Sequence, residues 1–373
     1  MPAYQPIQPG RQRPLATISS SWGAPIVTLL ALASLALVVL WANGWDALAL
    51  AHQGNRFTQQ DPNGTWGYDG QFYYAMARFP SPHQAAAFID VPAYRYQRIL
   101  YSLLARLLAL GRPTLIPWTL ILLSVGSQVV GTWAVARLLI GWGISPWYAL
   151  IYGLFPGFAL SVYYDLPETL AFALAAGALL AGERGRPWLS WLLYGLALFT
   201  KEVTLAFFAA AALGLLAQRR WRSLAGLALV AGLPYALFQG WLWLTFGRLG
   251  FGSGGALSTP FLAVPYLGLL SVFWHTDTLL AGMELLILFA ATGVAPSLWG
   301  AWRGAQALAA GKYHPLVWGL LINALAIMPL PASTFGDLRG MLRFEDGLLL
   351  SVVLFAAWRR SMAMRNPRRP RPA

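Results

Sequence analysis

Long apolar stretches of the chain run without a single charged side chain, among them 24–42, 114–136, 146–164, 223–247 and 315–335. Two more, 166–182 and 278–302, carry one Glu each. A helix of about 20 apolar residues, rising 1.5 Å per residue, crosses the ~30 Å hydrocarbon core of a bilayer. Runs of this kind, repeated along 373 residues, exceed what one signal peptide accounts for. Open sheets leave backbone groups unpaired in lipid, and the alternation that marks barrel strands is absent. The expected fold class is therefore all-α, a polytopic transmembrane helical bundle of about 10–12 spans filling residues 22–360 as one domain. Only 10% of the residues are charged, against about 25% in a typical soluble domain. There is no cysteine, which excludes disulfides, thiolate nucleophiles and Cys-ligated metals.

The net charge of +13 could suggest nucleic acid, but much of the excess lies in terminal tails and short loops. There it meets anionic headgroups and sets topology. Arg11 and Arg13 precede the first span, and Arg359, Arg360, Arg365, Arg368, Arg369 and Arg371 follow the last. Positive ends stay inside, so both termini are expected to be cytoplasmic, as a basic tail at 1–21 and a disordered basic tail at 361–373. Keeping the clusters Arg184/Arg186, Arg219/Arg220/Arg222 and Arg303/Lys312 inside predicts spans near 22–42, 114–137, 147–164, 166–182, 187–200, 203–217, 223–246, 278–301, 315–331 and 346–360. Residues 43–113 then form a long first outer loop with juxtamembrane helices. The turns at 165–168 and 201–202 and the loop 332–346 face the same outer side. Residues 99–110 are apolar enough for a short helix, although parity leaves them no crossing.

The outer loop contains Gly67-Tyr68-Asp69-Gly70-Gln71-Phe72-Tyr73-Tyr74. Phe72, Met76 and Phe79 recur at helical spacing until Pro80 stops them, which predicts a short amphipathic helix lying on the membrane surface. Asp69 stands at its start, either as an N-cap or as a general base at the water–lipid boundary. Downstream, Tyr94-Arg95-Tyr96-Gln97-Arg98 puts two guanidiniums three residues apart. They either snorkel toward headgroups or grip a phosphate. Arg56, Arg78, Arg95, Arg98, Arg106 and Arg112 outnumber the loop's acids, Asp46, Asp61, Asp69 and Asp90, and phosphate is the expected partner for the remainder.

These residues, from Gly67 through Asp90 to Tyr94-Arg95-Tyr96-Gln97-Arg98-Ile99-Leu100, resemble a group of bacterial membrane proteins linked to cell-surface glycopolymer formation. That group is similar to the GT-C superfamily of integral membrane glycosyltransferases, which includes the PIG-V-like and dolichyl-phosphate-mannose-type mannosyltransferases. Tyr68-Asp69 stands where those enzymes carry Trp-Asp, and Asp165-Leu166-Pro167-Glu168 resembles the Asn-Pro-Glu-Ser turn of the PIG-V-like proteins more distantly. The match covers roughly residues 66–104. The resemblance implies inverting transfer of a sugar from a polyprenyl-phosphate donor to a glycan or lipid-linked acceptor, at the outer side of the cytoplasmic (inner) membrane. It implies Asp69 as catalytic base. Tyr68, Gln71, Tyr73 and Glu168 are implied at the substrate, and Arg95, Arg98, Lys201 and Arg339 or Arg343 as cations for the leaving phosphate. The bilayer is the expected environment, and no nucleic acid partner is expected.

Asp165 and Glu168 also fit as acids favourable at a helix N-terminus, and Lys201-Glu202 fits as a solvated hairpin tip. With Asp69, the acids at 165 and 168 could hold a divalent cation, but His52, His83, His275 and His314 show no ligand spacing, so no metal or other cofactor is expected. Glu284 falls within a predicted span. The glycine-rich stretch 250–255 lacks a preceding strand and reads as an outer loop, a candidate lid. Asp337, Arg339, Arg343, Glu345 and Asp346 pair internally or clamp a donor phosphate. Two other functions remain open: a transporter or lipid flippase, and a non-catalytic scaffold for envelope polymer assembly. Charges massed at one surface favour interfacial chemistry over translocation.

Overall fold

Prolines and glycines divide the chain into helices, and a computed structural model describes residues 21–365. The tails 1–20 and 366–373, expected to be basic and cytoplasmic, lie outside the described residues. Among those described there is no strand, and the fold is all-α. The helices used below are α1 (Gly23–Ala42), α2 (Gly70–Arg78), α3 (Pro92–Tyr96), α4 (Ile99–Leu108), α5 (Ile116–Gly141), α6 (Pro156–Tyr163) and α7 (Glu168–Glu183). They continue as α8 (Pro187–Thr200), α9 (Leu205–Ala217), α10 (Trp221–Phe246), α11 (Leu279–Ala309), α12 (Pro315–Ile327), α13 (Leu338–Phe344) and α14 (Asp346–Arg365). Proline opens α3, α6, α8 and α12. A first-turn N–H would have no partner there, and the fixed φ already suits a helix.

Among the described residues, four helices are long and apolar enough to cross a membrane: Gly23–Ala42, Pro113–Gly141, Trp221–Phe246 and Leu279–Ala309. Two of them carry π turns, at Ala228–Gly232 and Ala290–Val294. Each lies just before a proline, Pro234 and Pro296. A proline ring clashes with the carbonyl four residues back and removes one hydrogen bond, and a π turn there takes up the misfit. The span expected at 147–164 is broken instead. A 3₁₀ turn (Pro146–Ala149) and one helical turn (Leu150–Gly153) precede α6. Phe155 is extended, φ −63° and ψ 134°, as a residue before proline tends to be. At the other end, residues 361–365 continue α14 rather than beginning a disordered tail.

The core centres on α7, which packs against α5 and α8. Ala171, Ala175, Ala176 and Ala178 are fully buried and let the helices approach closely. A second apolar cluster joins α2 and α4 to α5 through Phe72, Tyr73, Met76, Tyr101 and Leu120. The prediction that α2 lies on a membrane surface is wrong. Eight of its nine residues are buried, because the turn at Ala47–Ala51, α4 and α5 wall it in. The interior polar atoms of α2 have partners there, so burial costs little.

Candidate active site

Asp69 stands one residue before α2, in helical conformation, and its carboxylate makes no capping bond. Two glycines hold it there. Gly67 has φ +65°, in the left-handed region. At Gly70 a Cβ would collide with the Tyr164 carbonyl oxygen, so the start of α2 can lie against the end of α6 only without a side chain. Freed from capping, the Asp69 carboxylate points at two guanidiniums: Oδ1 is 3.1 Å from Arg95 Nη2, and Oδ2 is 3.7 Å from Arg343 Nη2. Its side chain is 26% exposed, the most open of the paired acids bar that of Asp337. Burial by itself would raise the Asp69 pKa, but the charges of Arg95, Arg343 and Arg98 outweigh it and hold the carboxyl well below the usual range.

Around Asp69 the ion pairs interlock. Arg95 donates Nε and Nη2 to Asp90 at 2.7 and 2.8 Å and lies over the Phe72 ring at 4.4 Å. The same Asp90 accepts the Val91 and Ala256 N–H groups at 2.7 and 3.1 Å; its pKa too is lowered, since bonds from Arg95 override the effect of burial. Arg343 donates Nε to Glu168 Oε1 at 2.5 Å and Nη1 to the Tyr68 hydroxyl at 2.9 Å. Lys201 donates to the same Glu168 oxygen. Arg98 is held by Glu202, by the Tyr73 hydroxyl at 3.2 Å and by the Tyr94 hydroxyl at 2.5 Å. Arg339, 44% exposed, pairs with Asp337 at 2.8 Å and lies 4.5 Å above the Tyr68 ring. Two atoms in this cluster are buried with no hydrogen-bond partner, Arg95 Nη1 and Glu168 Oε2.

No protein-family model, curated protein or solved structure matches the chain. What the cluster can do has to be argued from its own geometry. Of the residues singled out in the sequence, Tyr68, Asp69, Tyr73, Arg95, Arg98, Glu168, Lys201, Arg339 and Arg343 join one connected network at one end of the packed helices. Gln71 does not. Its Oε1 accepts from Gly54 N–H at 2.9 Å and its Nε2 donates to the Trp66 carbonyl at 2.7 Å, so both ends are committed to backbone. Gln71→Leu is expected to cost about 2–4 kcal/mol by stranding two backbone groups, seen as a lower unfolding midpoint and faster proteolysis within 54–67. The deficit of acids around the loop arginines also resolves without phosphate. Arg56 donates to the Pro62 carbonyl at 2.7 Å and stacks on Trp66, and Arg106 donates to the Ala77 and Arg78 carbonyls at 2.9 and 3.0 Å. Arg98 takes Glu202. Glu168 does stand in the first turn of α7, as expected, but fully buried, and Lys201–Glu202 is not the solvated tip expected, since Lys201 is 4% exposed.

Asp90, Tyr94 and Glu202 belong to the network without having been assigned a role at the site from sequence, and Asp337 takes the internal pairing expected of it, with Arg339. Asp90 had a local signal, five residues before Arg95. Glu202 had only its place beside Lys201. The glycine-rich stretch 250–255 sits against the network: a Cβ at Gly255 would come within 3.0 Å of Arg95 Nη2 and 3.3 Å of Asp90. Gln239 anchors it by accepting the Gly250 and Phe251 N–H groups, both at 3.0 Å. Asp165, at φ 50°, is fully buried with neither carboxyl oxygen hydrogen-bonded, and burial pushes its pKa up. Glu284 is exposed and joins no ion pair. No group of His, Cys, Asp or Glu able to hold a metal ion occurs among the described residues.

Proposed function

We propose that this chain is an inverting, GT-C-like membrane glycosyltransferase. It moves a sugar from a polyprenyl-phosphate donor to a glycan or lipid-linked acceptor at the outer face of the cytoplasmic membrane, in glycopolymer or glycolipid synthesis. The observation that carries this reading is the partly open Asp69 carboxylate clamped between Arg95 and Arg343. In this reading segment 147–164 and helices α7, α8, α9, α12 and α14 also cross the bilayer, ten crossings in all, segment 43–113 faces outward, and both termini are cytoplasmic.

The chemistry follows from the charges. The acceptor hydroxyl loses its proton to Asp69 as its oxygen bonds to the anomeric carbon from the face opposite the phosphate. The bond from that carbon to the phosphate oxygen breaks, and the phosphate leaves with the electron pair. A leaving phosphate needs nearby cations more than a proton. Arg339, Arg343 and the unused Nη1 of Arg95 are suited to that role. In the resting site Asp69 is a weak base, because guanidiniums stabilise its anion. A donor phosphate drawing on Arg343 and Arg95 takes back part of that stabilisation and raises the basicity of Asp69 when the donor is present.

A pH expectation follows. Folded Asp69 and Asp90 both titrate below their unfolded values. The unfolded chain therefore binds more protons as pH falls through the ordinary carboxylate range. Stability from these two groups is fully present above about pH 5 and is lost progressively below about pH 4. Asp165, kept protonated by burial, acts in the opposite sense as pH rises, so the test is the difference in unfolding midpoint between wild type and Asp69→Asn in detergent: it should be constant from about pH 5 to 8 and shrink at lower pH. Resting Asp69 should give kcat/KM no acid limb in the flat region; a limb near neutrality would assign the base to another group.

One observation favours a second reading, a non-catalytic envelope scaffold. Arg95, Arg98, Lys201 and Arg343 are matched by Asp69, Asp90, Glu168 and Glu202, a balance that would suit a knot holding helices together. Sugar transfer measured for Asp69→Asn separates the two readings.

A further inference from the structure

Away from the charged cluster, an apolar groove of about 630 Å³ runs along α5, α7 and α8. Its walls include Leu122, Val130, Trp133, Leu170, Gly177 and Leu193, and it ends at Arg184 and Arg186. Arg137 lies one turn beyond Trp133 on α5. Arg137 and Arg186 lie near enough to Arg184 for their charges, after burial, to lower its pKa. None of them pairs with a carboxylate among the described residues, and Arg137 Nε is buried without a hydrogen-bond partner. The neighbouring acid, Glu183, is taken by His314 at 3.0 Å and the Trp142 indole N–H at 3.4 Å.

We infer that this groove binds an anionic glycerophospholipid, its phosphate among Arg137, Arg184 and Arg186 and one acyl chain lying along α5 and α7. Three unpaired cations at one end of a dry channel complement a ligand with one anionic end and a long apolar remainder. Length fits as well: from Leu123 to Arg137 is 14 residues, about 21 Å of helix, enough for most of an extended acyl chain. The occupant is not the sugar donor. Glu168 and Arg184 stand at opposite ends of α7, 16 residues or roughly 24 Å apart, too far for a phosphate held at Arg184 to lose a sugar beside Asp69. The inference rests on α5 crossing the bilayer, not on glycosyl transfer.

The test uses the full chain in mixed micelles with phosphatidylglycerol or phosphatidylcholine brominated at mid-chain, which quenches tryptophan on contact. Brominated phosphatidylglycerol is expected to quench a saturable component at about tenfold lower lipid fraction than brominated phosphatidylcholine. Trp133→Phe should lack that component, and Arg184→Gln/Arg186→Gln should abolish the headgroup preference. Gly177→Leu keeps every charge but fills the groove, so it should lose the saturable component even if the arginine variant folds poorly. Equal quenching by the two lipids, or a preference that survives in both the Gly177 and arginine variants, would overturn the inference. Sugar transfer does not enter any readout, so failure here leaves the glycosyltransferase reading untouched.

Discussion

Asp69→Asn is expected to lose sugar transfer by about 10²–10⁴-fold, the range for removing a general base, while keeping its fold. Asparagine matches the shape of aspartate and leaves an oxygen facing Arg95, but it carries no charge and takes no proton. The stability cost should stay near 1–3 kcal/mol, the order of one lost charged hydrogen bond. Arg95 retains its two bonds to Asp90, and Arg343 retains Glu168. Transfer is read from a labelled polyprenyl-phosphate sugar to lipid-extracted acceptor in detergent, beside an unfolding curve for the same preparation. A folded Asp69→Asn protein with undiminished transfer would reduce Asp69 to an anchor for two arginines and give the site to the scaffold reading. A large loss of stability together with activity would be explained by neither.

How much of this could be read beforehand depended on range. Local chemistry marked part of this: Pro80 ends the region of α2, Pro187 and Pro315 open helices where spans were expected, and the uncharged runs 24–42, 114–136 and 223–247 correspond to long apolar helices, whereas 146–164 is broken at Pro156 and 315–335 yields only short helices. The π turns were not among the expectations, which ran unbroken spans through Pro234 and Pro296, although a proline ring demands a local adjustment. Burial of α2 was not readable. Helical spacing showed one apolar face, Phe72, Met76 and Phe79, whereas the opposite face is also interior because Gln71 and Tyr73 find partners. For the site, the types and places of the charges pointed to one end of the molecule, but the pairing did not follow. Arg98 meets Glu202 across 104 residues and Arg343 meets Glu168 across 175. Without those long-range contacts, Arg98 looked available for phosphate, and Glu168, which is a first-turn acid, showed no sign of its two buried cations.

The buried triad of Glu168, Lys201 and Arg343 should produce the largest stability effect. Glu168 Oε1 receives both Lys201 Nζ and Arg343 Nε, and its side chain has no exposure at all. Glu168→Gln removes the charge that lets two cations share the interior, with Asp69 left 3.7 Å from Arg343 as partial compensation. A cost of about 3–5 kcal/mol is expected, as for breaking one side of a buried ion pair. Lys201→Met alone is milder, because Glu168 keeps Arg343. Combining the two removes one charge of each sign, leaves Arg343 with Asp69, and should recover at least about 2 kcal/mol relative to the summed single effects. Unfolding midpoints against rising dodecyl sulfate in mixed micelles measure all four corners of the cycle. Simple additivity would mean that Glu168 and Lys201 do not interact. Recovered stability without recovered transfer is the further expectation, since Arg343, one of the cations assigned to the leaving phosphate, loses the carboxylate that positions it.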